Sequence, residues 1–485
     1  MTHRYIAFHA AERPDATAVV EDGRAIDYRR FHRDIARTAA ALGELGLRRD
    51  NSVAVDCKNL YFHWLLLLAC ERLGVATASI KLEDAGERGP ILANFDLILS
   101  ERRHATEPPP RRQLTIAREW IESILAGEEA PVPVEAARHD ADRIRLGHTS
   151  GTTGAAKTIV YSRRVFDRLI EKWIWRCCLS RECRYLLALP FTVEGAYHHA
   201  TACIRAGGTV VIESGVCDIA ASLSRHDITQ VTLFPIQLEQ ILERLPAGYI
   251  KPRNLAISTL GAAVSPALRA DATARLASRL YETYGCNEIG FISSTGDGDE
   301  GRRGALCPGV EVEIVDERDR PLAIGETGRI RVRTDTMVDG YLGDPAATER
   351  MFRNGWFYPG DLGMLLSPRR LAVMARQDEL LNLGGIKVPP AQIEAAIAAH
   401  APVADVGVCE IANGLGAKEL WIAVSGARCA DEALPQEVGE ALRSIPLGTF
   451  RIAKLASIPR TATGKIRRDA LREALAELLR RAAGE

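Results

Sequence analysis

Between Tyr28 and Phe234 stretches of apolar residues at helical spacing alternate with short apolar runs, and no other feature restricts the fold as much. Tyr28 to Leu47 has helical spacing, Ser52 to Val55 reads as a strand, Phe62 to Leu73 as a buried helix and Val75 to Ile80 as the next strand. This alternation predicts a layered α/β fold. The same grammar returns between Leu186 and Leu233, with strands at Thr209 to Ile212 and Gln230 to Phe234 and a helix at Ile236 to Arg244, so a second α/β unit is expected. After Gly304 the texture changes to period-two runs, Val310 to Val315 and Gly328 to Val332, separated by Gly and Asp turns. A small β-rich subdomain of antiparallel strands follows. From Gln377 onward a helix at Pro390 to His400, strands around Val403 to Val408 and Leu420 to Val424, and helices at Leu434 to Ser444 and Ala470 to Arg481 read as a separate α+β domain.

With 485 residues the chain has room for several such units. Loops are expected at Pro108 to Arg112 and at Pro131 to Pro133, and no repeat of about 20 to 50 residues is visible. Apolar residues at 47% and charged residues at 26% fit an ordinary soluble globular protein. The 62 Lys and Arg nearly cancel the 63 Asp and Glu, leaving a formal charge of -1 and no global field for nucleic acid or an anionic membrane. Any anion site must be local.

The 11 cysteines, from Cys57 to Cys429, lack metal-ligand spacing, and the Cys177, Cys178, Cys183 group has no matching His cluster. Buried, reduced thiols are the expectation. Arg4, Glu12 and Arg13 interrupt the N-terminus, which therefore lacks the apolar run of a secretory signal. The longest apolar stretch, Trp64 to Cys70, stops at Glu71 and Arg72, far short of the ~20 residues that span a bilayer. A cytoplasmic protein is expected.

The strongest local signal is His148-Thr149-Ser150-Gly151-Thr152-Thr153-Gly154-Ala155-Ala156-Lys157, just before the apolar segment Thr158 to Tyr161. Hydroxyls, glycines and a lysine in one short loop can wrap a polyphosphate, because backbone N–H groups approach closely where no Cβ intervenes. It is not a Walker loop, since Ala156 precedes Lys157 and the glycine spacing differs. A loop of this composition is equally a solvated turn, and taken alone it leaves both readings open.

Further segments follow in order: Gly261-Ala262-Ala263-Val264-Ser265-Pro266, Tyr284-Gly285-Cys286-Asn287-Glu288, Gly328 to Tyr341, Gly355 to Leu362, Arg376-Gln377-Asp378-Glu379 and Pro459 to Ile466. With the phosphate loop, this ordered set resembles the adenylate-forming superfamily of acyl-CoA synthetases, peptide adenylation domains and beetle luciferases over nearly the whole chain. The resemblance implies a large N-terminal adenylation domain, residues 1–376, and a small mobile C-terminal domain, residues 377–485. It implies ATP-dependent conversion of a carboxylic acid to acyl-AMP, with acyl transfer to the thiol of coenzyme A or of a carrier-protein phosphopantetheine. A catalytically silent nucleotide-binding scaffold is the reading from another class.

Roles implied by the resemblance agree with the chemistry of each side chain. Tyr284 is implied to stack on adenine, with the Gly261, Ala262 and Ala263 backbone lining the base pocket. Thr149 to Lys157, together with Gly285 and Asn287, is implied to surround the phosphates, and Glu288 to ligate Mg²⁺. Asp361 is implied to accept from both ribose hydroxyls and Arg376 to donate to ribose or phosphate. Lys465 is the implied catalytic lysine, placed after Thr463 and Gly464. Asp378 is the implied hinge, and Gly384, Gly385 and Lys387 line the implied thiol tunnel. Read without the family, Tyr284 is a core aromatic, Glu288 and Asp361 turn residues, and Lys465 and Lys387 surface lysines.

Ala156 stands in place of the family's usual proline, Asn287 in place of a common threonine, and Pro359 in place of a threonine. Asn287 still donates a hydrogen bond, so altered rate is expected rather than lost activity. Phe191, Thr192 and Glu194 fall where the family begins its acyl pocket. Amino-acid-activating relatives have an aspartate where Thr192 stands, which disfavours an ordinary α-amino acid. Glu194 either faces the pocket and favours a cation on the substrate or faces solvent, and the solvent-facing reading is preferred. His198 and His199 either line the site or lie on a helix surface, the surface being the simpler reading.

Overall fold

The computed structural model describes the chain apart from residues 83–91, 103–111, 128–138, 150–156, 215–217, 297–302, 378, 384–385, 413–417, 428, 431, 444, 446–448, 462–463 and 484–485. Several expectations lie outside the described residues: the loops at Pro108 to Arg111 and Pro131 to Pro133, the phosphate loop from Ser150 to Ala156, Asp378, Gly384, Gly385 and Thr463. The side chains of Thr149 and Lys387 do so as well.

One sheet has the order Gln113–Thr115, Leu97–Ser100, Ser52–Asp56, Ala76–Ser79, Arg143–Thr149, Lys157–Ser162, and only its last pair is antiparallel. Ala76–Ser79 and Leu97–Ser100 are buried on both faces, which is why their side chains do not alternate between apolar and polar. The helix Leu60–Leu73 between two of these strands starts where the Asn59 side chain accepts from the Phe62 N–H at 2.7 Å. It ends where Gly74 takes φ +83. Every residue from Tyr61 to Glu71 is buried, so the longest apolar run in the sequence is a core helix. No helix among the described residues is long and apolar enough to cross a membrane.

The larger sheet holds fifteen described strands. Its parallel half runs Arg279–Cys286, Ala256–Thr259, Gln230–Leu233, Arg184–Leu186, Thr209–Ile212 and Thr17–Glu21. The strand Thr17–Glu21 comes from the first third of the chain. This strand pairs with Thr209–Ile212, in the sheet of the second unit. Between the two sheets the helices Tyr28–Glu44, Leu60–Leu73, Arg163–Arg176 and Glu194–Arg205 share one apolar core, including Phe31, Leu65, Phe166 and Tyr197. The expected β-rich part is the antiparallel half of the same sheet, from Gly290–Ser294 to Phe352–Arg353, with Val310–Val315 paired to Thr327–Thr334.

The strand Arg279–Cys286 is where the two halves meet. Arg279 to Glu282 pair in parallel with Ala256–Thr259, whereas Thr283 to Cys286 pair antiparallel with Gly290–Ser294. Ligands of open α/β sheets sit at the carboxyl ends of strands where the topology changes. Phe191, Gly261 and Tyr284 all follow or belong to such ends.

In the last quarter Asp405–Ala412 and Lys418–Ser425 are antiparallel, and Phe450–Lys454 joins in parallel. The helices Pro390–His400 and Leu434–Ala441 cover one face, with Ile393, Ile397 and Val438 in the core, and Arg468–Ala483 covers the other through Leu471 and Leu475.

Candidate active site

The hairpin strands Arg143–Thr149 and Lys157–Ser162 pair Thr149 with Lys157, so they bring the two ends of the phosphate loop together. A turn at Asn287 to Ile289 reaches these ends. The Asn287 side-chain amide donates to the His148 carbonyl at 3.0 Å, and the Tyr161 hydroxyl donates to the Asn287 carbonyl at 2.9 Å. Tyr341 closes the third side: it bridges Ile159, and the Leu342 N–H donates to the Thr158 carbonyl at 2.7 Å. The Tyr341 hydroxyl donates to Glu288 Oε1 at 2.9 Å, and Lys157 Nζ lies 5.2 Å from the centroid of the Tyr341 ring. Burial and the Glu288 carboxylate hold the Tyr341 phenol above its ordinary pKa, so it remains a donor.

Two glycines make this turn possible. A Cβ on Gly285 would lie 2.2 Å from the Gly290 carbonyl oxygen, at the point where the strand register shifts. Gly290 has φ +74, and a Cβ there would meet Leu169 Cδ1 at 2.6 Å. Gly290→Ala is therefore expected to cost about 1–3 kcal/mol of stability, measured as a lower urea midpoint with an unchanged slope.

On the other side of the switch strand, Asp361 and Arg376 face each other across an antiparallel ladder. Tyr284 donates its hydroxyl to Asp361 Oδ2 at 2.5 Å. Arg376 Nη1 donates to the Pro359 carbonyl at 2.7 Å and lies 3.4 Å from Asp361 Oδ1. Gly360 turns at φ +80, a left-handed backbone that favours glycine, and packs beside the Arg376 head. Asp361 is 7% exposed. Burial and the Asp361 carboxylate push the Tyr284 phenol well above its ordinary pKa. A carboxylate has about four acceptor positions, so Asp361 retains capacity for hydroxyl donors. Gly261 turns at φ +90 after the strand Ala256–Thr259, and Ala262 and Ala263 follow it half-exposed toward Val264.

The structure corrects the reading of the acid segment. Phe191 is buried and Thr192 exposed, but Glu194 does not face solvent. It is 5% exposed and accepts from Arg145 Nε at 2.6 Å. His198 and His199 are not on a helix surface either, because the helix Glu194–Arg205 is buried on nearly every side. His199 stacks on Tyr185 at 4.1 Å and contacts the Thr232 hydroxyl at 2.8 Å, and burial pushes its pKa down to about 3. It is a neutral core histidine.

Lys465 is exposed, in a loop folded on itself. The Thr461 N–H donates to the Lys465 carbonyl at 2.7 Å, the Lys465 N–H to the Thr461 hydroxyl at 3.1 Å, and Arg460 Nη1 to the Gly464 carbonyl at 2.6 Å. Arg460 also pairs with both oxygens of Asp405, at 3.1 and 2.6 Å. The loop rests on the helix that follows the strand Gln230–Leu233, where the Gly464 Cβ position would be 3.6 Å from Ile236 Cβ. It therefore lies at the carboxyl edge of the parallel strands, the edge that also carries Phe191, Gly261 and Tyr284.

Three residues at or beside the site had no role in the sequence reading: Arg145, Tyr341 and Arg460. Arg145 sits among Ile144, Leu146 and Gly147, and a charge inside a strand of both-face burial is the one local signal it gave. Tyr341 and Arg460 lay within recognised segments but touch partners far away in sequence.

A family model described as AMP-binding enzyme matches residues 6–342. The chain belongs to the AMP-binding enzyme family. Among similar proteins, indoleacetate–CoA ligase of Aromatoleum aromaticum is 26% identical, over 97% of this chain and 98% of that one. A fatty acid–[acyl-carrier-protein] ligase of Streptomyces coeruleorubidus is also 26% identical, over 96% and 95%. Among solved structures, o-succinylbenzoate coenzyme A synthetase of Bacillus subtilis, in complex with ATP and magnesium ion, superposes with a TM-score of 0.83 at 21% identity, covering 96% of this chain and 98% of that chain. This AMP-binding enzyme thus shares their mixed α/β architecture, a large sheet-rich N-terminal part and a smaller C-terminal one.

Proposed function

We propose that this enzyme condenses a carboxylic acid with ATP to give acyl-AMP and pyrophosphate, and then passes the acyl group to the thiol of coenzyme A. The observation that carries the reading is the closed ring around the phosphate-loop ends, in which Glu288, Tyr341, Asn287 and Lys157 converge beside the Asp361 and Tyr284 pair. In the first step a carboxylate oxygen attacks the α-phosphorus and the bond to the β-phosphate oxygen breaks. Two anions meet and charge gathers at phosphorus, so fixed cations lower the barrier. Lys157 holds the leaving pyrophosphate side, Asp361 and Arg376 hold the ribose, Tyr284 and the Gly261 to Ala263 backbone hold the base, and Lys465 neutralises the reacting carboxylate and α-phosphate.

Glu288 suits a Mg²⁺ ion, which takes one or two carboxylates and completes its shell with phosphate oxygens and water. When bound, the ion supplies charge neutralisation on the phosphates. In the second step the thiol sulfur attacks the acyl carbon, AMP leaves, and the thiol proton passes to solvent. Residues 377–485 rotate about Asp378 between the steps, exchanging Lys465 for Gly384, Gly385 and Lys387 at the thiol entrance.

Because Arg145 already neutralises Glu194, the acyl group carries no cation destined for that carboxylate. The free thiols, buried at Cys57, Cys70, Cys203 and Cys409, support a reducing cytoplasmic setting. The similarity to an acyl-carrier-protein ligase supports a second acceptor, the phosphopantetheine arm of a carrier protein.

Acid-dependent exchange of labelled pyrophosphate into ATP, run over aryl, aliphatic and amino acids, tests the first step. Turnover with at least one acid is expected, and none with any acid indicates a silent nucleotide-binding scaffold. Single-turnover transfer to coenzyme A against a loaded carrier separates the acceptors. Tyr284→Phe, which removes the donor to Asp361, is expected to raise the KM for ATP about tenfold in the exchange assay.

A further inference from the structure

Arg145 lies mid-strand in Arg143–Thr149 with no solvent exposure, on the strand that runs into the phosphate loop. Its guanidinium meets three other segments. Nε donates to Glu194 Oε2 at 2.6 Å, on the helix Glu194–Arg205. Nη2 donates to the Phe191 carbonyl at 3.0 Å and to the Ser79 hydroxyl at 3.2 Å. Tyr197 covers its face, with the ring centroid 3.9 Å from Cζ.

The contacts continue on both sides. Glu194 Oε2 lies 3.5 Å from His198 Nε2. The Ser79 hydroxyl lies 2.9 Å from His63 Nε2, while His63 Nδ1 lies 3.0 Å from the Cys57 carbonyl. A carbonyl only accepts, so His63 is protonated at Nδ1 and accepts a hydrogen bond from the Ser79 hydroxyl at Nε2. Ser79 is then left as an acceptor for Arg145, and the chain has one direction from Arg145 to Cys57. Burial pushes the His63 pKa down to about 4, consistent with a neutral ring.

A buried ion pair is a poor source of stability, because removing two charges from water offsets most of their attraction and apolar side chains of similar size often do as well. What the planar fork supplies is direction, since three acceptors on three segments fix its position at once. We infer that Arg145 is a positioning residue that fixes the strand entering the phosphate loop against the Phe191 to Glu194 segment, so that nucleotide and acid are presented to each other at a set distance. This rests on the function proposed above and on the acyl pocket that the family resemblance implies at Phe191 to Glu194.

The test is the double variant Arg145→Met/Glu194→Leu, which removes both charges while keeping side-chain bulk, alongside Arg145→Lys, which keeps the charge and loses the fork. In pyrophosphate exchange with the acid that the wild type uses best, the double variant is expected to melt near the wild-type temperature. Its kcat is expected to fall at least tenfold and its KM for the acid to rise about tenfold, because small misplacements of reactants are costly. Arg145→Lys is expected to show the same KM rise. A folded double variant with wild-type kcat and KM overturns the inference.

A measurement on the wild type decides the matter even where variants fail to fold. With the non-hydrolysable analogue α,β-methylene-ATP bound, hydrogen exchange is expected to slow at residues 143–149 and also at 191–199. Protection that stops at the nucleotide side overturns the inference. A wild type that binds the analogue and exchanges pyrophosphate with no acid sinks the proposed reaction instead, and the exchange pattern still decides whether Arg145 links the two segments.

Discussion

Lys465→Ala is expected to lower acid-dependent pyrophosphate exchange by about a thousandfold, while transfer from chemically supplied acyl-AMP to the thiol falls far less. In the proposed mechanism the ammonium acts on charge that appears only as the carboxylate closes on phosphorus, and losing one such preorganised group costs about 10²–10³ in rate. Lys465 is exposed and its loop is held by Thr461 and Arg460 through contacts to the backbone and the Thr461 hydroxyl, so truncating the side chain leaves the loop intact. Melting temperature is therefore expected to stay within about 2 °C of the wild type, as for an ordinary surface change. Equal losses in both half-reactions would contradict the role.

Glu288→Gln is the second large effect, an expected drop of about a hundredfold in exchange, with the Mg²⁺ concentration for half-maximal rate raised at least tenfold. The amide keeps an oxygen to accept from Tyr341, so the ring of contacts survives while the negative charge disappears. In the proposed mechanism a hard divalent cation would then lose the anionic ligand that this turn offers it. Titration of exchange rate against Mg²⁺ at fixed ATP checks this. A variant whose rate falls with an unchanged Mg²⁺ dependence would assign Glu288 to positioning through Tyr341.

Local periodicity carried the elements far better than their partners. The helix Pro390–His400 and the strands Thr209–Ile212 and Val310–Val315 lie where spacing places them, because each buries one continuous set of side chains. Thr17–Glu21 shows the limit. Its neighbour, Thr209–Ile212, is nearly two hundred residues away, and nothing in the short apolar run Ala18, Val19, Val20 says which sheet will receive it. The histidines of Glu194–Arg205 failed for a related reason: a helix buried on nearly every side has no polar face against which an inward residue can be recognised.

The site was legible as an order of segments, and the contacts among them were not. The spacing of Asn287, Glu288 and Lys157 along the chain gives no hint that Tyr341 joins them. For Glu194 the sequence favours solvent over the pocket because carboxylates are rarely buried without a partner, and its partner, Arg145, sits on the strand before the phosphate loop.

A single uninterrupted segment, Arg279–Cys286, serves as the last parallel member of one half-sheet and the first antiparallel member of the other. Neither half can be re-spaced without dragging the other. Diversification of such a scaffold is thereby steered toward exchanging side chains on its rims, leaving this beam, which carries Tyr284 and leads into the turn at Asn287 to Ile289, at a constant pitch.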